Sequence, residues 1–110
     1  MAAKMRILFY QTENGNSPIE RYLDQIDDEE LGRVLAILND IAMHGLDGPS
    51  VVTRQIHAKL WELKIRQLRF FYMVLNGPRM VILHACKKQS ARARGKDIDT
   101  AKRRLAILTA

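Results

Sequence analysis

The chain has 110 residues, of which 47% are apolar and 27% charged, and its net charge is +6. This length suits one domain with one modest core, and the composition is that of an ordinary globular protein. The longest apolar run is far shorter than the ~20 residues that span a bilayer, and the N-terminus lacks an apolar signal-peptide core. We therefore expect a single domain over residues 1–110, located in the cytoplasm and not in a membrane.

The charge is divided unevenly between the two halves of the chain. Residues 1–50 carry nine acidic and four basic side chains, and residues 51–110 carry three acidic and fourteen basic ones. A net charge of −5 is therefore followed by one of +11, which favours a polyanionic partner, such as a nucleic acid, for the second half. The alternative is that the excess of Lys and Arg only keeps a small protein soluble.

The first half predicts one strand followed by two helices. Residues 5–10 form a short apolar strand, and Ser17 followed by Pro18 has the features of a helix start, with a glutamate three residues after the cap. A second helix is predicted from Asp27, where four acidic residues match the positive end of the helix dipole. Apolar residues then recur at three- and four-residue intervals until Gly45 ends the helix.

The second half predicts strands at residues 53–58, 60–66, 68–75 and 79–86. Asn76-Gly77 is a strong hairpin signal between the last two strands. A basic loop over residues 87–96 leads to a helix from about Asp97. Its packing face consists of Ile98, Ala101, Leu105 and Leu108.

Consecutive strands with such short connections must pair antiparallel. We therefore predict an α+β fold: a mostly antiparallel sheet of four to five strands with two N-terminal helices packed on it and a C-terminal helix, the helices covering one face. In residues 60–66, Trp61 and Leu63 alternate with Glu62, Lys64 and Arg66, so the latter three are expected on the polar face.

Basic side chains from three segments are candidates for one cationic concavity. They are Lys59, Lys64, Arg66 and Arg69 on neighbouring strands, Lys87 and Lys88 at the last strand end, and Arg92, Arg94 and Lys96 in the loop. Such a concavity suits cleavage of RNA, because fixed cations stabilise the charge of the phosphoryl transition state and the 2′-hydroxyl is a built-in nucleophile. A solvated sheet face is the alternative.

Few other residues could carry chemistry. His57 lies in the basic stretch, and His84 is expected on the same face as Met80 and Ile82; each is either a site residue or a structural histidine. The single cysteine, Cys86, excludes an internal disulfide and is expected to be a small buried residue. The aromatic residues Trp61 and 70–72 could stack on bases, but their strand positions favour the core. No metal or other cofactor is predicted.

Several segments together resemble the HigB branch of the RelE superfamily, including its phage-derived members. They are Leu-Trp-Glu-Leu-Lys-Ile-Arg at 60–66, Arg-Phe-Phe-Tyr at 69–72, Val-Ile-Leu-His at 81–84 followed by Lys87-Lys88, and then Asp97-Ile98, Ala101 and Arg104. The resemblance covers roughly residues 54–105. It implies the toxin of a bacterial type II toxin–antitoxin pair, an mRNA interferase that cuts messenger RNA on the ribosome. It also implies silencing by a cognate antitoxin, often a helix-turn-helix protein.

The resemblance also implies roles for individual residues. Arg66 matches the arginine that grips the scissile phosphate, Arg69 the arginine that opens the next strand, and Lys88, next to Lys87, the basic residue after the last strand. His57, Lys59, Lys64, His84, Arg92 and Arg94 are the candidates for RNA contact. Two features depart from the family pattern: Lys64 replaces an arginine and so lacks its bidentate fork, and residues 93–95 contain no aromatic side chain.

Three functions remain in view at this point. A metal-independent endoribonuclease is favoured, a non-catalytic nucleic-acid-binding relative of the same fold is the first alternative, and a protein-interaction module using the acidic helices is the second. The lack of a standard acid/base pair supports the first alternative.

Overall fold

A computed structural model describes residues 4–88 and 91–110, and the side chains of all of these except 91–94. The elements in chain order are β1 (Arg6–Phe9), α1 (Pro18–Gln25), α2 (Asp28–His44), β2 (Val52–His57), β3 (Leu60–Ile65), β4 (Leu68–Leu75), β5 (Arg79–Lys87) and α3 (Ala91–Thr109). The predicted α+β class and the order of its elements are confirmed.

The five strands form one sheet in the order β1-β5-β4-β3-β2. Strands β2 to β5 pair antiparallel through short turns, whereas β1 runs parallel to β5. This parallel pair is possible because α1 and α2 lie between β1 and the rest of the sheet in the chain, and they supply the long connection that parallel strands need.

Both N-terminal helices begin at the predicted caps. The Ser17 Oγ accepts a hydrogen bond from the Glu20 amide at 3.2 Å, and the Asp27 Oδ1 accepts one from the Glu30 amide at 2.7 Å. Helix α2 ends at Gly45, whose φ of 87° lies in the left-handed region that glycine adopts without strain. The Asp27 cap thus fixes where α2 begins, and with it the position of the acidic first turn.

Helix α3 begins earlier than its apolar spacing predicts. It begins at Ala91, and residues 91–94, Ala-Arg-Ala-Arg, have a high helix propensity. One glycine at position 95 costs only about 1 kcal/mol in a helix. Ala101 is buried as predicted, but Leu108 is 43% exposed and does not belong to the packing face. Of the predicted basic loop, residues 89 and 90 lie outside the described residues.

Helices cover both faces of the sheet, so the expectation that they share one face is wrong. Ile65 and Leu68 line a hollow together with the first turns of α2. On the other face, His84 contacts Asp97 of α3 and stacks on Phe71. The cause lies in β4, where Phe70 and Phe71 point to opposite faces and both are fully buried.

A bulge in β5 decides which face His84 occupies. Tyr72 pairs with Ile82, but Phe71 pairs with His84, so Leu83 is an extra residue. His84 therefore lies on the face opposite Ile82, contrary to the prediction from simple alternation. The bulge turns the histidine toward α3.

Candidate functional site

One end of the sheet gathers basic residues from β3, β4 and β5, as predicted. Lys64 pairs with Arg69, Leu68 pairs with Lys87, and the Lys88 amide donates a hydrogen bond to the Gln67 carbonyl in the β3–β4 turn. We call Lys64, Arg66, Arg69, Lys87 and Lys88 the basic end. These five cationic side chains create a positive potential, which favours an anionic group such as a phosphate.

Arg66 lies in the β3–β4 turn and not at the end of the strand. Strand β3 ends at Ile65, and Arg66 is exposed with a φ of 54°. The left-handed region costs about 1 kcal/mol or more for a residue with a Cβ. The side chain of Arg66 is therefore accessible, and the backbone that carries it is held in an unfavourable conformation.

Arg69 is only 9% exposed and bonds to this turn. Its Nη1 donates hydrogen bonds to the Arg66 carbonyl at 2.6 Å and to the Leu68 carbonyl at 2.9 Å. The hollow beside Arg69, lined also by Cys86 and Asp97, has about 10 Å³ of open space, enough for about one water molecule. A phosphate group does not fit there.

Glu62 is fully buried, although alternation predicts it on an exposed polar face. It pairs with Phe71 across the sheet, and α3 covers that face. Its Oε1 lies 3.4 Å from Nη2 of Arg54, which forms an ion pair with it from β2. A buried carboxylate is tolerated when a cation compensates for lost hydration.

His84 belongs to a network that joins β5 to α3. Its Nε2 donates to the Asp97 Oδ1 at 2.7 Å, and its Nδ1 lies 3.4 Å from Nη1 of Arg104. The same Arg104 nitrogen donates to the Leu83 carbonyl at 2.8 Å. Burial lowers the pKa of Arg104. Asp97 and Arg104 are site residues that no sequence motif assigned to a role, but their spacing with Ala101 (i, i+4, i+7) marks one helix face.

His84, Cys86 and Asp97 have ligand atoms within 4.8 Å of one another, a spacing that could hold a metal ion. Both ring nitrogens of His84 already face Asp97 and Arg104. Arg69, Lys87 and Lys88 line the hollow around Cys86. Hydrogen bonding within the network thus accounts for this cluster, and the surrounding cations would oppose a divalent ion.

Two of the other candidates, His57 and Lys59, do not lie at the basic end. His57 and Lys59 are exposed at the opposite end of β3, about 20 Å from Arg66 at the ~3.3 Å rise of a strand. Arg92 and Arg94 fall in the first residues of α3, whose side chains lie outside the described part of the chain. His57 and Lys59 therefore do not share one concavity with the basic end.

Acidic residues of α2 lie beside the basic end. A hollow of about 240 Å³ is lined by Asp27, Glu29 and Glu30 of the α2 start together with Arg66 of the turn. The acidic residues of the first half are therefore not all remote from the basic residues of the second half. These carboxylates lower the positive potential at Arg66.

The aromatic residues of the central strands belong to the core, as predicted. Phe70, Phe71 and Tyr72 are buried, and Trp61 is half-buried. Burial raises the pKa of Tyr72, and a hydrogen bond with Thr53 partly offsets this effect. These aromatic side chains are therefore not exposed platforms for base stacking.

In the described part of the chain, no helix is both long and apolar enough to cross a membrane.

Comparison with known proteins agrees with the fold. The fold is similar to a chain of the "Crystal structure of archaeal RelE-RelB complex from Pyrococcus horikoshii OT3", with a TM-score of 0.59, 13% identity, and coverage of 79% of this chain and 98% of that chain. The fold is thus RelE-like. Curated protein sequences give no match. Residues 21–106 match the family described as "Phage derived protein Gp49-like (DUF891)". The chain therefore belongs to the phage-derived Gp49-like family.

Proposed function

We propose that the protein is the toxin of a type II toxin–antitoxin pair and that it cleaves messenger RNA on the ribosome. The observation that carries the proposal is the basic end on a RelE-like sheet, with Arg66 exposed at its tip. Arg66, Lys87 and Lys88 are exposed cations from two neighbouring chain segments. They can contact a single-stranded backbone without rearrangement of the core.

The proposed chemistry uses charge and position more than a dedicated acid/base pair. The 2′-hydroxyl of the RNA gives its proton to water and attacks the adjacent phosphorus. The bond to the 5′-oxygen of the next nucleotide breaks, that oxygen takes a proton from water, and a 2′,3′-cyclic phosphate remains. Negative charge then develops on the phosphoryl oxygens, where a guanidinium such as that of Arg66 donates two parallel hydrogen bonds. Lys87 and Lys88 supply further positive charge around the same group.

A proteinaceous antitoxin is the second part of the proposal. The structural relative was crystallised as a complex of RelE with RelB. We propose a cognate antitoxin for this chain too, of the helix-turn-helix kind that the HigB resemblance implies. An antitoxin that covers the basic end would exclude RNA by occupying the same surface.

A non-catalytic RNA-binding relative is the second candidate. Two observations favour it: Lys64 stands where the family pattern has an arginine, and His84 is held in a structural network. Binding without cleavage would still arrest translation if the chain occupied the ribosome.

Induced expression in bacteria distinguishes the candidates. We expect growth arrest, new messenger RNA 5′ ends within coding regions, and relief of both by co-expression of an adjacent reading frame that encodes a helix-turn-helix protein. Growth arrest with intact messenger RNA would favour the binding relative. Normal growth with soluble, folded protein would contradict both.

A further inference from the structure

We propose that Arg69 is a positioning residue, which acts by holding the turn that presents Arg66. In this proposal Arg69 does not contact RNA, although sequence resemblance groups it with the catalytic residues. The inference rests on the proposed function only in the role given to Arg66. The effect of Arg69 on the turn can be tested without any cleavage.

The hydrogen bonds of Arg69 hold the β3–β4 turn. One guanidinium nitrogen, Nη1, donates to the carbonyls of both Arg66 and Leu68, at 2.6 and 2.9 Å, so it spans the turn. A second bond closes the turn from β5, where the Lys88 amide donates to the Gln67 carbonyl. Three consecutive carbonyls, 66 to 68, are thus fixed by neighbouring groups.

The turn needs such support because of its backbone conformation. Arg66 has a φ of 54°, a region that disfavours every residue with a Cβ, and it is not glycine. A strained conformation persists only where the surroundings hold it. Loss of the Arg69 bonds would allow the turn to relax, and the backbone that carries the Arg66 side chain would then lose its fixed position.

Accessibility argues against direct contact between Arg69 and the substrate. Arg69 is 9% exposed, and the hollow next to it has about 10 Å³ of open space, which is far smaller than a phosphate group. Arg66 and Lys88 are exposed. The accessible and the buried arginine therefore have different tasks.

A double-mutant cycle with Arg69→Gln and Arg66→Ala tests the proposal in a ribosome-programmed cleavage assay. If Arg69 acts through Arg66, we expect Arg69→Gln to lower kcat about tenfold or more in the wild-type background and to add no further loss in the Arg66→Ala background. Equal losses in both backgrounds would mean that Arg69 acts independently, and this would overturn the proposal. Arg69→Lys keeps one donor and should restore part of the rate.

Amide hydrogen exchange at Gln67 and Leu68 gives a readout that does not depend on activity. Arg69→Gln should accelerate exchange in this turn, and unchanged exchange would overturn the proposal even if the wild-type protein cleaves no RNA. Arg79→Gln is the matched control, because Arg79 Nε donates to the Asn76 carbonyl at 2.8 Å in the β4–β5 turn. The control should loosen its own turn and leave cleavage unchanged. If Arg69→Gln fails to fold, Arg69→Lys takes its place in both measurements.

Discussion

Arg66 combines an accessible guanidinium with a left-handed backbone, so its effects on function and stability can be separated. Arg66→Ala should lower cleavage about a hundredfold, the ~3 kcal/mol that one preorganised donor contributes to a charged transition state. Arg66→Gly should lose cleavage as well, but it should raise the free energy of unfolding by about 1 kcal/mol because glycine relieves the strain. Messenger RNA end mapping and denaturant titration measure the two effects.

Arg66→Lys is the matched control, since it keeps the charge and loses the bidentate geometry. It should restore cleavage only in part. If folded Arg66→Ala protein cuts at the wild-type rate, Arg66 does not donate the proposed pair of hydrogen bonds to the phosphate. Lys87 and Lys88 would then be the remaining candidates for stabilising the transition state.

The acidic start of α2 lines the same hollow as Arg66, so it should weaken RNA binding. Glu29→Gln removes one carboxylate whose side chain is 83% exposed and whose ion pair with Arg33 contributes little to stability. We expect RNA affinity at low salt to rise about two- to fivefold, the range of an exposed charge pair. Asp47→Asn, beyond the other end of α2, should leave affinity unchanged. A fall in affinity for Glu29→Gln would show that this glutamate supports the site.

Residue types alone identify the basic and polar side chains, but local patterns did not predict where each one lies in the fold. Arg66 continues the alternation of β3, and alternation cannot show that the last residue of the pattern has entered the turn. Glu62 also fits the pattern of a solvated face. Its burial depends on α3, which lies about thirty residues further along the chain and whose docking face local rules do not encode.

At the level of elements, local chemistry predicted the starts of α1 and α2 because Ser17 and Asp27 satisfy amides of the next turn. It did not predict the β5 bulge. Val81, Ile82 and Leu83 are all apolar, so one extra residue leaves no mark in the pattern, yet it moves His84 to the other face of the sheet. The face of a strand beyond a bulge is set by the packing partner, here α3.

The hydrogen bond from His84 to Asp97 is one of the polar links between β5 and α3, and both side chains are 19% exposed. Asp97→Ala should lower the free energy of unfolding by about 1–3 kcal/mol, since a hydrogen bond to a charged group is lost in a half-buried place. Asp99→Ala is the control, because Asp99 is exposed on the same helix. The measurement is denaturant titration. Equal effects of the two substitutions would mean that the link adds no stability.

At the level of the whole molecule, the division of charge along the sequence is only partly a division in space. The fold brings Lys64, Arg66, Lys87 and Lys88 to one end of the sheet and leaves His57 and Lys59 at the other. It also places the acidic start of α2 beside Arg66. The composition therefore favours a polyanionic partner, whereas strand register decides which basic residues could meet one RNA segment.

The basic end should make RNA binding strongly dependent on salt. Each phosphate that is neutralised on a single strand contributes about −0.7 to the slope of log affinity against log salt concentration. Contacts by Lys64, Arg66, Lys87 and Lys88 would give a slope of about −3, and any contacts from α3 would make it steeper. The measurement is fluorescence anisotropy with a single-stranded RNA between low and moderate salt.

The double variant Lys87→Gln/Lys88→Gln should reduce the magnitude of the slope by about 1.4. Lys59→Gln, at the other end of β3, should leave the slope unchanged. A change of the same size for Lys59→Gln would place RNA along the whole length of the sheet, and affinity that does not vary with salt would exclude binding through phosphates.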